Sequence, residues 1–450
     1  MRSHTLLLPL LLALVAPLAS ADVDPRKRSV EKNPTSAPAE SRSRSRSEGT
    51  APAGPTAAGN ADLHAAIALE QRALQAARDG DGDAAALALA ELATRFPGVL
   101  PAVHPPLLRF AVEEASRGGN ARVALLQALV DADYASRETG DGSGYAYELA
   151  LERLQQGDLE AAARAHARIQ APEQLVLTLI DRRFDPLTGG DEAGIDIEAA
   201  SRRHVDRLRT RAFLDQNVLA LQVVFGQAQL VVGDFAEALA LAEQVEASFA
   251  EAQPWLDPDQ RFSMRLVRMQ AQFGLGREQE AVADLAAAVQ AGDAVGGEFP
   301  RLLLAALQCS RGDYAEALKT LEPVPAPENL LGLLRASIVG CAASRTGDTA
   351  AFAAALAWAR EHRALMPRVY TEVLLYDSRL DEAAADLIAR LRDPETRADA
   401  LIDVQDFREL PTAPGERILK ANGEALLARA DVQAAIAEVG RRRAWPIYKP

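Results

Sequence analysis

The chain has 450 residues, 48% of them hydrophobic, with 49 Lys and Arg against 63 Asp and Glu, a formal charge of -14. Arg2 supplies +1 and residues 22–60 supply +2, from seven Lys or Arg against five Asp or Glu, so residues 61–450 carry -17. Such a balance repels phosphate backbones, and DNA or RNA is not an expected partner.

The N-terminal segment reads as a signal peptide over 1–21. Arg2 precedes an apolar stretch, Leu6 to Leu18, broken by Pro9 and Pro17, and Ala19-Ser20-Ala21 fits the small-x-small rule for cleavage after Ala21. The stretch is short of the about 20 apolar residues a membrane span needs, and no later segment supplies one. The expected location is periplasmic or secreted. Residues 22–60 read as a disordered linker. They hold Ser-Arg-Ser-Arg-Ser-Arg-Ser at Ser41 to Ser47 and almost no large apolar side chain, so little surface is available to offset the entropy of ordering.

From Ala61 a turn signature repeats between apolar helical stretches. Gly-Asp pairs stand at Gly157-Asp158, Gly233-Asp234, Gly312-Asp313 and Gly347-Asp348, with looser copies at Gly80-Asp81, Gly276-Arg277 and Ser378-Arg379. From Gly276 the intervals are 36, 35 and 31 residues; the earlier ones, 77 and 76, leave room for two units each, with middle turns at Gly118-Gly119 and near Gly194. Gly-Asp-Phe-Ala-Glu-Ala-Leu at 233–239 and Gly-Asp-Tyr-Ala-Glu-Ala-Leu at 312–318 are near copies of each other. Gly permits the left-handed conformation that ends a helix, and Asp can accept a backbone N–H at the start of the next. Small residues stand seven before the turn (Ala150, Gly226, Ala305, Gly340) and five after it (Ala162, Ala238, Ala317), where helices cross closely. Leu321 and Leu356 supply the bulky position nine after the turn, and His166 and Ala242 depart from it. No segment reads convincingly as a strand.

This pattern resembles the tetratricopeptide repeat, a helix-turn-helix unit of about 34 residues. The resemblance covers most of 61–392. It implies an all-α fold, a right-handed α-solenoid of stacked hairpins, in which each hairpin buries its apolar face on its neighbours. Two units are degenerate: 104–132, and 172–211 with its loop from Phe184 to Ile195. Residues 393–450 then read as capping helices and a tail. Ile418, Leu419, Leu426, Leu427, Val432, Ile436 and Val439 are placed to pack on the last unit, and Arg441 to Arg443 to face solvent.

Catalytic and metal signatures are missing from the sequence. His64, His104, His166, His204 and His362 form no His-x-x-x-His or His-Glu-x-x-His pair. Asp79, Asp81 and Asp83 look like the start of a calcium loop, but Ala84 and Ala90 stand where that loop needs Gly and Glu. N-cap acids at a turn are the better reading. There is no Gly-x-Ser-x-Gly elbow, phosphate loop or Gly-x-Gly-x-x-Gly. No cofactor or metal is expected, and the chain is not expected to be an enzyme.

Cys309 and Cys341 are the only thiols, and an even count in an exported chain suggests a disulfide. They fall on the first helices of neighbouring units, about one turn apart in height. A bond needs Cα atoms within about 7 Å, whereas packed helix axes lie about 8–10 Å apart. Two buried or groove-facing thiols are therefore the expectation.

The resemblance also implies a concave inner face that binds peptides. Its slots carry over to Tyr147, Leu151 and Leu154; Val223, Gln227 and Leu230; Leu302, Ala306 and Cys309; and Ser337, Cys341 and Ser344. These are neutral and mostly apolar, unlike the Lys, Arg and Asn of the clamp that holds chaperone tails. An apolar groove suits an apolar peptide or amphipathic helix. The expected function is an exported scaffold or adaptor that binds a peptide or helix of another envelope protein. An accessory or unrecognised hydrolase acting on envelope polymers is the alternative, and a spacer without a partner is a third possibility.

Overall fold

A computed structural model describes residues 57–135, 140–190, 194–251, 254–290 and 298–450. The expected signal peptide and the linker up to residue 56 lie outside them, as do the arginines at 42, 44 and 46. The last four residues of the expected linker already belong to a helix, Ala57–Asp79. The described chain is mostly helical, as expected, and no helix among the described residues is long and apolar enough to cross a membrane. It divides near residue 136 into two compact units, so the residues expected to form one run of repeats lie in both.

The first unit contains α1 (Ala57–Asp79), α2 (Gly82–Arg95), α3 (Pro105–Glu114) and α4 (Asn120–Asp131). Its core is Leu89, Leu92, Leu125, Leu126 and Leu129, all fully buried. The acidic triplet is spent on the turn. Asp81 Oδ1 accepts from Ala84 N at 2.9 Å, and the Asp83 carboxylate accepts from Ser116 N and Oγ, each at 2.8 Å. Asp79 accepts from Gln75 Nε2 at 3.0 Å.

The second unit begins with α5 (Ser143–Gln155), α6 (Leu159–His166), α7 (Pro172–Ile180) and the single turn α8 (Asp185–Thr188). It continues through α9 (Ile197–Leu214), α10 (Leu219–Val232), α11 (Phe235–Ala250), α12 (Arg261–Gly274) and α13 (Glu278–Gln290). Then come α14 (Phe299–Arg311), α15 (Tyr314–Leu321), α16 (Leu330–Thr346), α17 (Thr349–Glu361), α18 (Pro367–Tyr376), α19 (Leu380–Arg392) and α20 (Arg397–Asp403). Helices adjacent in sequence pack as hairpins, and first helices also meet their successors: α10 on α12, α14 on α16, and α16 on α18.

The turns explain why the hairpins close as they do. Gly80, Gly157, Gly233, Gly276, Gly312, Gly347 and even Ser378 have positive φ, between 57° and 91°. At Gly233 the turn amide donates to Leu230 O, and the next amide, of Asp234, donates to Gln229 O. The same pair of bonds recurs at 80, 157, 276, 312 and 378, satisfying carbonyls that the helix end leaves open. At Gly347 both amides reach Ala343 O. The following Asp caps the next helix through its side chain at Asp81, Asp158 and Asp348, but not at Asp234 or Asp313. Small residues mark the close crossings. Ala150, Ala162, Ala238, Ala305 and Ala317 are fully buried, and a Cβ on Gly226 would stand 2.7 Å from Val267 Cγ1.

After α20 the chain departs from the expectation in three ways. Asp406–Arg408 (β1) and Ala444–Tyr448 (β2) pair in parallel, a small sheet that the sequence reading lacked. The signal was present but short: Trp445 and Ile447 are buried while Ala444 and Pro446 are exposed, the period of a strand. Second, Arg441 does not face solvent. Its guanidinium grips both oxygens of Asp185 at 2.7 and 2.8 Å, across 256 residues of sequence. Third, α21 (Arg417–Leu427) and α22 (Ala430–Val439) pack on α18 and α19 through Leu419, Leu426, Leu427, Val432, Ile436 and Val439, but Ile418 is exposed.

The cysteines also differ from expectation. Cys309 on α14 and Cys341 on α16 form a disulfide, with Cα atoms 6.6 Å apart. A Cα lies about 2.3 Å off its helix axis, so facing cysteines on helices at an ordinary axis separation stand within bonding reach; small buried residues, Ala305, Ala306 and Ala342, surround the bond. The bond ties one hairpin to the next across 32 residues, a loop whose closure is worth about 3–4 kcal/mol. Reduction, or the double change Cys309→Ala with Cys341→Ala, should lower the melting temperature of the second unit by several degrees. Gly347 offers a second check, because a Cβ there would meet nothing within 4 Å and only the backbone is at issue. Gly347→Ala should destabilise by about 1–2 kcal/mol in chemical denaturation, from the cost of left-handed φ alone.

Candidate functional site

The helices of the second unit are covered on one side by its own C-terminal segment. Strand β2 lies across α9 and α10, and the turn Pro414–Glu416 presses on the end of α14. There Gly415 comes so close that a Cβ would sit 2.1 Å from Cys309 O. Gln405 organises the return of the chain. Its Oε1 accepts from Arg443 N at 3.0 Å and Trp445 Nε1 at 3.2 Å, and its Nε2 donates to the carbonyls of Leu401 and Arg441. Arg441 N donates to Ile180 O, and Gly440 bridges Asp181, so the tail is stitched to the end of α7. Tyr448 stacks edge-on to Phe235, ring centres 4.9 Å apart.

Between the helices and this segment lies a cavity of about 490 Å³. The helices contribute Glu173 and Gln174 from α7, Ser201, His204 and Leu208 from α9, and Val224, Gln227 and Leu230 from α10. Phe235, Phe273 and Glu278 follow, with Asp141 and Gly144 ahead of and within α5. The C-terminal side contributes Asp403, Gln405, Phe407, Arg408, Tyr448 and Lys449.

Two charge arrangements shape it. Asp403 is partly buried, and burial alone would raise its pKa. Lys449 at 2.9 Å, Arg390 at 2.7 Å and Arg368 at 3.8 Å overcome that and hold the carboxyl far below the usual range. Glu173 is the reverse case. Enclosure raises its pKa, the carboxylates of Asp399 and Asp141 raise it further, and Lys449 and Gln174 oppose them. Its side chain is exposed where it lines the cavity, which opens to solvent on one side. Asp399 is raised by burial and by Asp403. His204 stands 3.4 Å from Asp141, but burial outweighs that carboxylate and lowers the imidazole pKa. No group of three or more His, Cys, Asp or Glu among the described residues is spaced to hold a metal ion.

Of the residues singled out from the sequence, the structure brings Gln227 and Leu230 to the cavity wall. Tyr147 is buried and stacks on Phe184 at 5.2 Å, with burial pushing its hydroxyl pKa up. Leu151 and Val223 are buried among neighbouring helices, and Leu154 is half-buried. Leu302 and Ala306 are fully buried, Cys309 and Cys341 are bonded to each other, Ser337 is buried and Ser344 is half-buried. Missing from the sequence reading were Glu173, Asp403, Gln405, Tyr448 and Lys449. Neither acid belongs to a turn motif, and the tail carries no repeat signal. The chain matches no protein-family model and no curated protein sequence.

Next to this site, Glu372 on α18 is buried against α16. Its Oε1 accepts from Tyr376 Oη at 2.7 Å and Ser337 Oγ at 3.2 Å, while Oε2 has no partner. Burial pushes its pKa from 4.5 up to about 7. A carboxyl raised on folding holds its proton more tightly in the native state. Stability is therefore lost as pH rises from the unfolded value through about 7, to a total of about 3 kcal/mol above it. Glu372→Gln keeps the acceptor and cannot ionise. Its melting temperature should exceed that of the parent at pH 8 and converge with it near pH 4.5; an equal offset at both would remove Glu372 as the source.

Proposed function

We propose that the protein is an exported, non-enzymatic interaction module whose inner face binds an extended peptide or helix of another envelope protein. The reading takes the stacked hairpins as a right-handed solenoid of tetratricopeptide kind, as the turn motifs and their left-handed glycines favour. One observation supports it: an extended segment, β2, lies on α9 and α10, the kind of surface on which such a module would seat a peptide. The tail thus acts as an intramolecular stand-in for a partner segment. The envelope location rests on the signal-peptide reading of residues 1–21.

A second reading, an accessory hydrolase of envelope polymers, is favoured by one feature. Glu173, with its raised pKa, shares the cavity with the Asp141–His204 pair, and a carboxyl group whose pKa is raised is better suited to general acid work than an ordinary one.

Gln227→Trp separates the readings, because it fills the cavity from α10 without touching the buried interior. Affinity capture from native envelope should recover a defined partner with the parent chain and about tenfold less with Gln227→Trp. Equal recovery by both, with the variant folded, would remove the inner face as the docking site. Turnover of wall fragments by the parent and none by Glu173→Gln would instead establish the hydrolase.

A further inference from the structure

We propose that the cavity of the second unit is a binding site for an organic cation, an ammonium or guanidinium group on an apolar or aromatic stem. The inference rests on the cavity alone and stands whether or not the inner face docks a peptide.

The charges on its wall do not balance from within. Three carboxylates come from the C-terminal side, and each is already held. Asp403 has Lys449, Arg390 and Arg368 around it. Glu409 lies 3.5 Å from Lys420. Glu416 accepts from Ser310 Oγ at 2.7 Å and from Ala413 N at 3.4 Å. The helical side differs. Glu173 and Glu278 form no ion pair among the described residues, with Lys449 acting on Glu173 only through space; Asp141 lies in reach of Arg207 and of His204, whose pKa burial lowers. Of the two cations on the wall, Lys449 is engaged by Asp403, and Arg408 lies over the ring of Tyr448 at 5.9 Å. The helical wall therefore carries an excess of negative charge in a concave site, and a cation held there would meet it at short range.

The shape of the site selects among cations. The acids do not converge at metal-ligand spacing, so a bare metal ion would find too few donors. A volume of about 490 Å³ accommodates a stem as well as a charged head. Phe235, Phe273, Phe407 and Tyr448 supply that stem with apolar surface and the head with ring faces that attract positive charge. Gln174, Gln227 and Gln270 add carbonyl acceptors for N–H donors. An anion would meet the acids head-on, and a neutral ligand would leave the excess negative charge of the wall unmatched.

The same chemistry arises from a free amine or from a Lys or Arg side chain on a peptide. Calorimetric titration of the full chain with phenethylamine, argininamide and acetyl-Phe-Arg-amide covers both sources. 2-Phenylethanol and 3-phenylpropionate are the neutral and anionic controls. The cationic probes should bind at least about tenfold more tightly than either control, and Glu173→Gln should weaken them by about tenfold or more. Tighter binding of the dipeptide than of phenethylamine assigns the side-chain source; the reverse assigns the free amine. Binding should also strengthen as pH rises and the Glu173 carboxyl ionises. Equal binding of amine, alcohol and carboxylate overturns the proposal, and so does full-strength binding to a folded Glu173→Gln. The comparison among probes uses the parent protein alone, so it decides the matter even if the variant does not fold.

Discussion

No hairpin in this chain can bury its apolar face by itself. Hairpins of thirty-odd residues have too little interior, so each must lie against the next, and everything else follows from how that stacking is enforced. The enforcement is local. A left-handed residue at each turn reverses the chain within two residues, and its amide and the next one cap the carbonyls of the first helix. Alanine and glycine at the crossings then set how near the helices come. Gly226 and Gly340 face Val267 and Val373 of the following first helices at distances where a larger side chain has no room.

That local logic is why the hairpins were legible in the sequence. Positive φ selects Gly strongly, so Gly157, Gly233, Gly312 and Gly347 mark turns without any knowledge of the rest. Ser378, found as a looser copy of the turn at the right interval, adopts the same conformation. What was not legible depends on distance in space. Whether Leu302 faces a groove or a neighbouring helix is set by the angle between successive hairpins, which turn spacing does not encode. In this stack Leu302, Ala306 and Val223 are interior residues. The disulfide was missed for a related reason: the separation of helix axes stood in for that of the facing Cα atoms, which lie 6.6 Å apart.

The tail was the least legible part, because its partners lie elsewhere in the chain. Arg441 has no sequence feature that points to Asp185, nor Lys449 any that points to Asp403. Read alone, Arg441-Arg442-Arg443 is a solvated basic run, and that reading holds only for Arg442, which stays exposed while pairing with Asp406. The cavity inherits this illegibility. One wall is helical and follows from the repeats, and the other is tail, so no scan of either segment reveals the site they form together.

The tail also changes the physics of the stack. In an open array each hairpin touches only its neighbours, and stability is close to a sum of local terms. Here Arg441 and Gly440 reach α7 and α8, β2 reaches α9 and α10, and Lys449 returns to Asp403. Early and late hairpins are thereby joined across most of the unit. A change in the angle between any two hairpins must alter the gap that the tail spans, and hence the cavity. A ligand seated in that cavity would touch both the helices and the tail, and its binding would strengthen the tie between them.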